Sequence, residues 1–257
     1  MMRSYERIKV ERAGGTETVW LSNPARRNAI GPRMTSELLW ALEDARAADD
    51  VRSIVLTGEG KAFCAGGDFT GAAHESELPH KGDFADLLLA LYRSDKPVIA
   101  KVNGDALGGG LGLAAACTFA VAATTARLGT PEIDVGLFPM MIMAVLCRHV
   151  PRRRLTAMML LGEKVGAEEA VALGLLNRAV APGALDAEVT AIGDAIAKKS
   201  ATTVRLGLRA LAAQEGMELE RALPMLRDRL SEVLATDDAR EGLMAFLEKR
   251  PPTWTGR

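Results

Sequence analysis

Apolar runs rich in β-branched residues recur along the first two thirds of the chain and predict strands at Ile8–Glu11, Thr18–Leu21, Ser53–Thr57, Val98–Val102, Phe119–Ala122 and Leu176–Val180. Between them the apolar spacing changes to that of helices. Residues Pro32–Ala48 place Met34, Leu38, Leu39, Leu42 and Ala45 on one face, with Pro32 suited to a first turn. Asp83–Tyr92 repeats the pattern with Phe84, Leu87, Leu88 and Leu91. Strands alternating with helices predict an α/β fold. Beyond about residue 184 only helical patterns follow: Leu185–Ala197, Thr202–Gln214, Leu219–Leu234 and Asp238–Glu248, closed by Pro251-Pro252. No low-complexity linker intervenes, so these helices are expected to pack on the core or on a neighbouring subunit.

Composition narrows the function classes. The chain has 257 residues, 48% of them hydrophobic and 25% charged, and a net charge of -1. That balance offers no overall attraction to nucleic acid or to an anionic membrane. Cys64, Cys117 and Cys147 lack a C-x-x-C spacing, and His74, His80 and His149 are too scattered for a metal cage, so no metal is expected. The first ten residues carry one acid, Glu6, and no apolar h-region. A reducing cytoplasm without membrane attachment is the expected setting.

The chemistry-bearing stretch is V-N-G-D-A-L-G-G-G-L-G-L-A-A-A, from Val102 to Ala116. Three glycines let the backbone turn sharply, and the helix that follows aims unsatisfied N–H groups and its positive end at the turn. Gly110-x-Gly112-x-x-Ala115 matches the dinucleotide fingerprint loosely, with Glu132 about 20 residues on, but no β-α-β unit in that phase frames the acid. The glycines also suit plain strand-to-helix packing. A third possibility arises because Lys61-Ala62-Phe63-Cys64-Ala65-Gly66-Gly67-Asp68 likewise places glycine beyond a strand. Two such loops can offer two backbone donors to one carbonyl oxygen, an oxyanion hole.

Four ordered motifs, K-A-F-C-A-G-G-D-F, V-N-G-D-A-L-G-G-G-L, L-G-T-P-E-I-D-V-G-L-F-P and T-D-D-A-R-E-G-L-M-A-F-L-E-K-R, resemble the enoyl-CoA hydratase/isomerase (crotonase) family over essentially the whole chain. The resemblance implies a crotonase spiral of repeated β-β-α units over residues 1–200 and a helical oligomerisation region over 201–257, assembled as a homotrimer or homohexamer. It implies an acyl-coenzyme A thioester as substrate, with no separate cofactor. The oxyanion donors of the family match the main-chain N–H groups of Gly67 and Gly109, and its later glutamate matches Glu132. For coenzyme A it points to Ala25, Arg26, Arg27, Lys61, Ala65 and Asp68, and to Phe246 and Lys249 at a neighbouring subunit's nucleotide site.

The departures from the family pattern bear on the reaction. Hydratases of the family use two glutamates, but the earlier position is Gly112 here, and no acid lies between Asp105 and Glu132. Asp105 precedes the turn and is expected to face elsewhere. Adding water needs an oriented nucleophile and a proton donor, whereas moving a double bond needs one base. Isomerisation is therefore expected first, hydration or dehydration second, and acyl-CoA binding without turnover third. Phe138–Met143 replaces the family's glycine-rich segment with bulky side chains, read either as core filler or as lining for the acyl group. Cys64 has no neighbouring base and is expected to be inert. His74 and His80 fall in a polar segment, 71–82, expected to be a mobile lid, and His149 at a helix end.

Overall fold

The computed structural model describes residues 3–68 and 80–257, so most of the expected lid, with His74, lies outside the described residues. Its strands are β1 (Ile8–Ala13), β2 (Thr16–Leu21), β3 (Ser53–Gly58), β4 (Val98–Val102), β5 (Ala106–Leu107), β6 (Phe119–Ala123), β7 (Arg127–Gly129), β8 (Lys164–Gly166) and β9 (Arg178–Val180). Its helices are α1 (Pro32–Ala47), α2 (Phe84–Tyr92), α3 (Gly109–Ala116), α4 (Met140–Leu146), α5 (Arg152–Leu161), α6 (Ala167–Ala172), α7 (Leu185–Ala197), α8 (Ala201–Gln214), α9 (Leu219–Leu234) and α10 (Asp237–Glu248).

The β-branched runs build a six-stranded sheet in the order β1-β2-β3-β4-β6-β9. Only β1 and β2 pair antiparallel; the other neighbours are parallel. Every residue of β3 is buried, as expected of a parallel strand covered on both faces. The large core holds α1, α2 and α3 against one face, while Leu185 and Val189 of α7 meet Val55, Ile99 and Val121 on the other. This is the α/β architecture that the alternation of patterns implies, and no helix among the described residues is long and apolar enough to cross a membrane.

Three strands and three helices escape sequence reasoning. β5, β7 and β8 are two or three residues long, too short for period-two alternation, and form a second sheet in the order β5-β7-β8. Helix α4 is apolar throughout, so it shows no periodicity, and α5 and α6 are short. Small corrections follow from local chemistry. Asp83 is the cap of α2 rather than its first turn, accepting from the Ala85 and Asp86 N–H groups. Strand β9 begins at Arg178, because Leu176 is a buried core residue and Asn177 caps the ladder by accepting the Ala120 N–H at 2.8 Å.

The parallel strands β3 and β4 end side by side, so the loops that follow them rise from the same edge of the sheet. Two side chains set their course. Asn103, just past β4, accepts the Gly58 N–H at 3.2 Å and donates to the Gly58 and Gly60 carbonyls, each at 2.9 Å. Asn28, fully buried at φ 57, donates to the carbonyls of Glu59 and Ala62 and accepts from the Asn23 N–H. Asp95 holds the helical region to the core, pairing with Arg46 at 3.1 Å and with Arg209 of α8 at 2.5 Å. Burial alone would raise its pKa, but the two guanidinium groups outweigh that and hold it below the usual range.

Asn28→Ala is expected to lower unfolding stability by about 2–4 kcal/mol, since it strands buried partners and places alanine at positive φ. Chemical denaturation measures the loss.

Candidate active site

The two glycine loops are stitched together by backbone bonds. The Cys64 N–H donates to the Asp105 carbonyl at 3.1 Å, and the Leu107 N–H donates to the Cys64 carbonyl at 2.9 Å. On the other side the Ile30 N–H donates to the Gly66 carbonyl and the Asp68 N–H to the Ile30 carbonyl, both at 2.8 Å. In that parallel bridge the residue between, Gly67, must point its own N–H away from Ile30. Gly67 is exposed, so the donor faces open space.

Gly109 opens α3, and a first-turn N–H has no acceptor within its helix. The turn before it is held by β7, since the Gly108 N–H donates to the Gly129 carbonyl at 2.9 Å. The loops approach closely: a β-carbon built on Gly66 would stand 4.0 Å from the Gly109 nitrogen, and one built on Gly109 would stand 3.8 Å from the Gly66 carbonyl carbon. Two unengaged N–H groups and a helix's positive end therefore share one recess, which suits a developing oxyanion.

Glu132 reaches the same recess from a short 3-10 turn, Pro131–Val135, that follows β7. A β-carbon on Gly108 would lie 2.7 Å from its Oε1, so the carboxylate rests directly against the glycine turn. Gly108 is needed twice over: its φ of 50 at ψ -123 is closed to other residues, and a side chain would strike the carboxylate. Sequence reasoning missed Gly108 as the seat of the acid. The glycine triplet marked the turn, but only the fold brings Glu132 to it. Glu132 Oε2 is buried with no hydrogen-bond partner among the described residues. Burial pushes its pKa up, and its own main-chain N–H offsets that only in part. A partly buried carboxylate with no cation beside it among the described residues is equipped to take up a proton.

The position two residues past Gly110 is occupied. A β-carbon on Gly112 would stand 2.9 Å from Ile142 Cβ, closer still to Ile142 Cγ2, and 3.7 Å from Leu88 Cδ2. Ile142 is buried, whereas Met140 and Met141 are exposed, so the segment 138–143 divides between core filling and open surface. Asp105 faces Arg127, at 2.6 Å, and is spoken for. Burial raises the Cys64 thiol to about 12, which makes it inert as a nucleophile. His80 is exposed, and the ring of His149 meets the Ala115 carbonyl at 3.0 Å at the end of α4.

Of the residues expected to hold coenzyme A, five meet at the rim. Arg26 forks onto both oxygens of Asp68 at 2.7 and 2.8 Å, and the Ala65 N–H donates to the Arg27 carbonyl at 3.0 Å, with Ala25 in the same 3-10 turn as Arg26. Lys61 is exposed on the loop between β3 and Gly67. Phe246, 81% exposed, and Lys249, the left-handed end residue of α10, lie in the C-terminal helices and make no hydrogen bond or ion pair with that cluster. Among the described residues no group of three metal-ligating side chains occurs.

The α/β fold thus brings a buried carboxylate oxygen of Glu132 to the glycine turn that opens α3. The enoyl-CoA hydratase/isomerase family model matches residues 11–257, and the chain belongs to that family, with the crotonase fold. It is 39% identical over 251 residues to a putative enoyl-CoA hydratase of Thermus thermophilus, covering 95% of this chain and 99% of the relative. It is 32% identical to the human enoyl-CoA hydratase domain-containing protein 3, mitochondrial, covering 94% of this chain and 81% of the relative. A solved enoyl-CoA hydratase of Mycobacterium smegmatis superposes with a TM-score of 0.90 at 34% identity, covering 97% of this chain and 99% of the other.

Gly108→Ala is expected to cost about 1–3 kcal/mol through backbone strain and the clash with Glu132; thermal unfolding reads the loss. A second outcome concerns pH. The folded protein raises the Glu132 pKa, so ionisation opposes folding, fully above the raised value and not at all below the ordinary carboxylate value. Glu132→Gln should therefore melt higher than the parent at neutral pH, and the difference should vanish as pH falls through the carboxylate range.

Proposed function

We propose that the protein is an enoyl-CoA isomerase using Glu132 as its only acid and base. The thioester oxygen sits between the N–H groups of Gly67 and Gly109. Glu132 takes a proton from C2 of a 3-enoyl-CoA, and the electron pair moves onto the thioester as an enolate held by both donors. The protonated carboxyl then returns the proton at C4, while the enolate collapses and the double bond comes to rest between C2 and C3. Each oxyanion donor contributes roughly 10²–10³ in rate.

The observation that carries this is the filled position at Gly112: Ile142 and Leu88 occupy the space in which a second carboxylate would orient water. Hydration is the second reading, favoured by the relatives' names as enoyl-CoA hydratases. The rim residues Ala25, Arg26, Arg27, Ala65 and Asp68, with Lys61 on the loop before them, hold the coenzyme A portion, arginine being suited to phosphate. The region from residue 201 is the oligomerisation part. Its exposed apolar side chains, Leu219, Leu223, Leu230, Leu234, Phe246 and Leu247, fit burial in a homotrimer or a pair of trimers, with Phe246 and Lys249 reaching the neighbour's nucleotide. Three cysteines, none in a disulfide, suit the cytoplasm.

The test supplies 3-enoyl-CoA and crotonyl-CoA separately and follows 2-enoyl absorbance. The expected result is absorbance appearing from the first with slow or no loss from the second. Glu132→Gln should reduce the rate by about 10²–10⁴. In the parent the rate should fall as pH drops through a Glu132 pKa lying above the ordinary carboxylate range. Faster hydration of crotonyl-CoA would establish the second reading, and tight binding without turnover would make the protein a non-catalytic acyl-CoA binder.

A further inference from the structure

A cavity of about 410 Å³ lies at the opposite edge of the sheet from the glycine loops. Arg52 and the segment Asp95-Lys96-Pro97, which line it, lead into β3 and β4, and the far ends of those strands carry the loops. The six residues of β3 hold the two ends about 20 Å apart. From the helical region, Thr202 and Arg205 at the start of α8 and Trp254 beyond α10 close the other side. The volume is within the range of small-molecule sites, about 300–1,000 Å³.

Positive charge is in excess there. Five of the lining side chains are cationic, against two acids, Asp49 and Asp95, and Asp95 is already shared by Arg46 and Arg209. Arg52 donates to the Lys199 carbonyl and Lys96 to the carbonyls of Ala45 and Ala48, so neither forms an ion pair among the described residues. Arg205 makes no ion pair or hydrogen bond with a described residue. Burial pushes the Lys96 pKa below its ordinary value, and the Arg205 charge adds to that while Asp95, Asp49 and Asp50 oppose it. Like charges held this close favour a bound anion. Helix α8 adds its positive end, with no acid in its first turn; its cap Ser200 bonds to Asp238, which is engaged by the Thr255 and Gly256 N–H groups. Thr202 supplies an observation independent of surface charge. It is 6% exposed, and its hydroxyl oxygen is buried with no partner among the described residues, an unfavourable arrangement that a ligand oxygen beside α8 would relieve.

We propose that this cavity binds a small organic phosphate monoester, with the phosphate at the first turn of α8 beside Arg205 and Thr202, and the organic body against Val51, Pro97, Ile196 and Trp254. A phosphate brings two negative charges to the excess cations and several acceptor oxygens to a helix N-terminus, a hydroxyl and a guanidinium. The apolar wall opposite calls for a body on that phosphate. Once bound, the ligand joins α8 to the segments that enter β3 and β4, alongside the pairing of Asp95 with Arg209. The site shares no residue with the recess, so the inference stands apart from the isomerase reading.

The experiment titrates the full chain with phenyl phosphate, inorganic phosphate, phthalate and benzyl alcohol by calorimetry at constant ionic strength, and maps the phenyl phosphate complex by hydrogen exchange. Phenyl phosphate should bind more tightly than the other three, and protection should appear in residues 94–98 and 201–206 but not in 25–27 or 61–68. Arg205→Gln should weaken phenyl phosphate by about tenfold or more, the loss of one charge-assisted bond. Thr202→Val, of the same shape without the hydroxyl, should weaken it by about threefold to tenfold and leave the thermal transition no lower, since it removes an unbonded buried group. Both variants should turn over thioester at the parent rate when no phosphate is present. Protection at the coenzyme A rim in place of residues 201–206, or an affinity indifferent to Arg205→Gln, overturns the proposal. Tighter binding of phthalate than of phenyl phosphate overturns the phosphate assignment, and equal binding of inorganic phosphate overturns the role of the apolar wall.

Discussion

Cys64 lies where two loops from neighbouring strands cross, giving its N–H to Asp105 and taking the Leu107 N–H on its carbonyl. It is fully buried, and its thiol is pushed up to about 12, so the residue acts through its backbone and its packing. Those two bonds bring Gly67, three residues on, beside Gly109, which follows the second loop. Asn103 and Asn28 fix the ends of the same loop from the sheet side and from the first 3-10 turn. Without this stitching the free N–H groups would belong to two independent turns, and two turns do not make an oxyanion site. Preorganisation of such donors is effective because no reorganisation is required when charge develops.

The acid is held at some cost to the fold. Glu132 is half-desolvated, one oxygen lacks a partner, and its neighbour Gly108 adopts a backbone conformation that glycine alone tolerates. Each is unfavourable, and each is supported by surrounding order: β7 carries the 3-10 turn, and the Gly129 carbonyl pins Gly108. Buried carboxylates elsewhere in the chain are treated differently. Glu37, fully buried, accepts three main-chain N–H groups from residues 6–8 and pairs with Arg33. Glu17 also has a buried oxygen without a partner, but its other oxygen pairs with Arg12 at 2.5 Å, whereas no cation among the described residues faces Glu132.

Family membership and reaction are decided at different scales. The crotonase fold and the oxyanion recess depend on glycine turns and strand ends, which the four motifs carry. The surroundings of the glycine turn are set by a few side-chain contacts, and those at Gly112 are apolar. Ile142 presses against Gly112, and Leu88 of α2 lies on the same side, so the space beside Gly112 is filled by apolar side chains.

Much of the architecture was legible in the sequence, because a strand or helix that buries one face must repeat its apolar residues at a fixed period. Strand β4 and helices α7 and α9 fall at the expected residues for that reason. Strands β5, β7 and β8 carry too few residues to show a period, and α4 is apolar all round, so tertiary contacts alone define them. The candidate donors Gly67 and Gly109 and the acid Glu132 could be named from motifs, as could the absence of a carboxylate at Gly112. The sequence could not say whether the space beside Gly112 was open to water or filled, nor that Gly108 seats Glu132 and that Arg26 is answered by Asp68. Each of those depends on a distance between residues remote in the chain, and such distances exist only once the sheet has brought its loops to one edge.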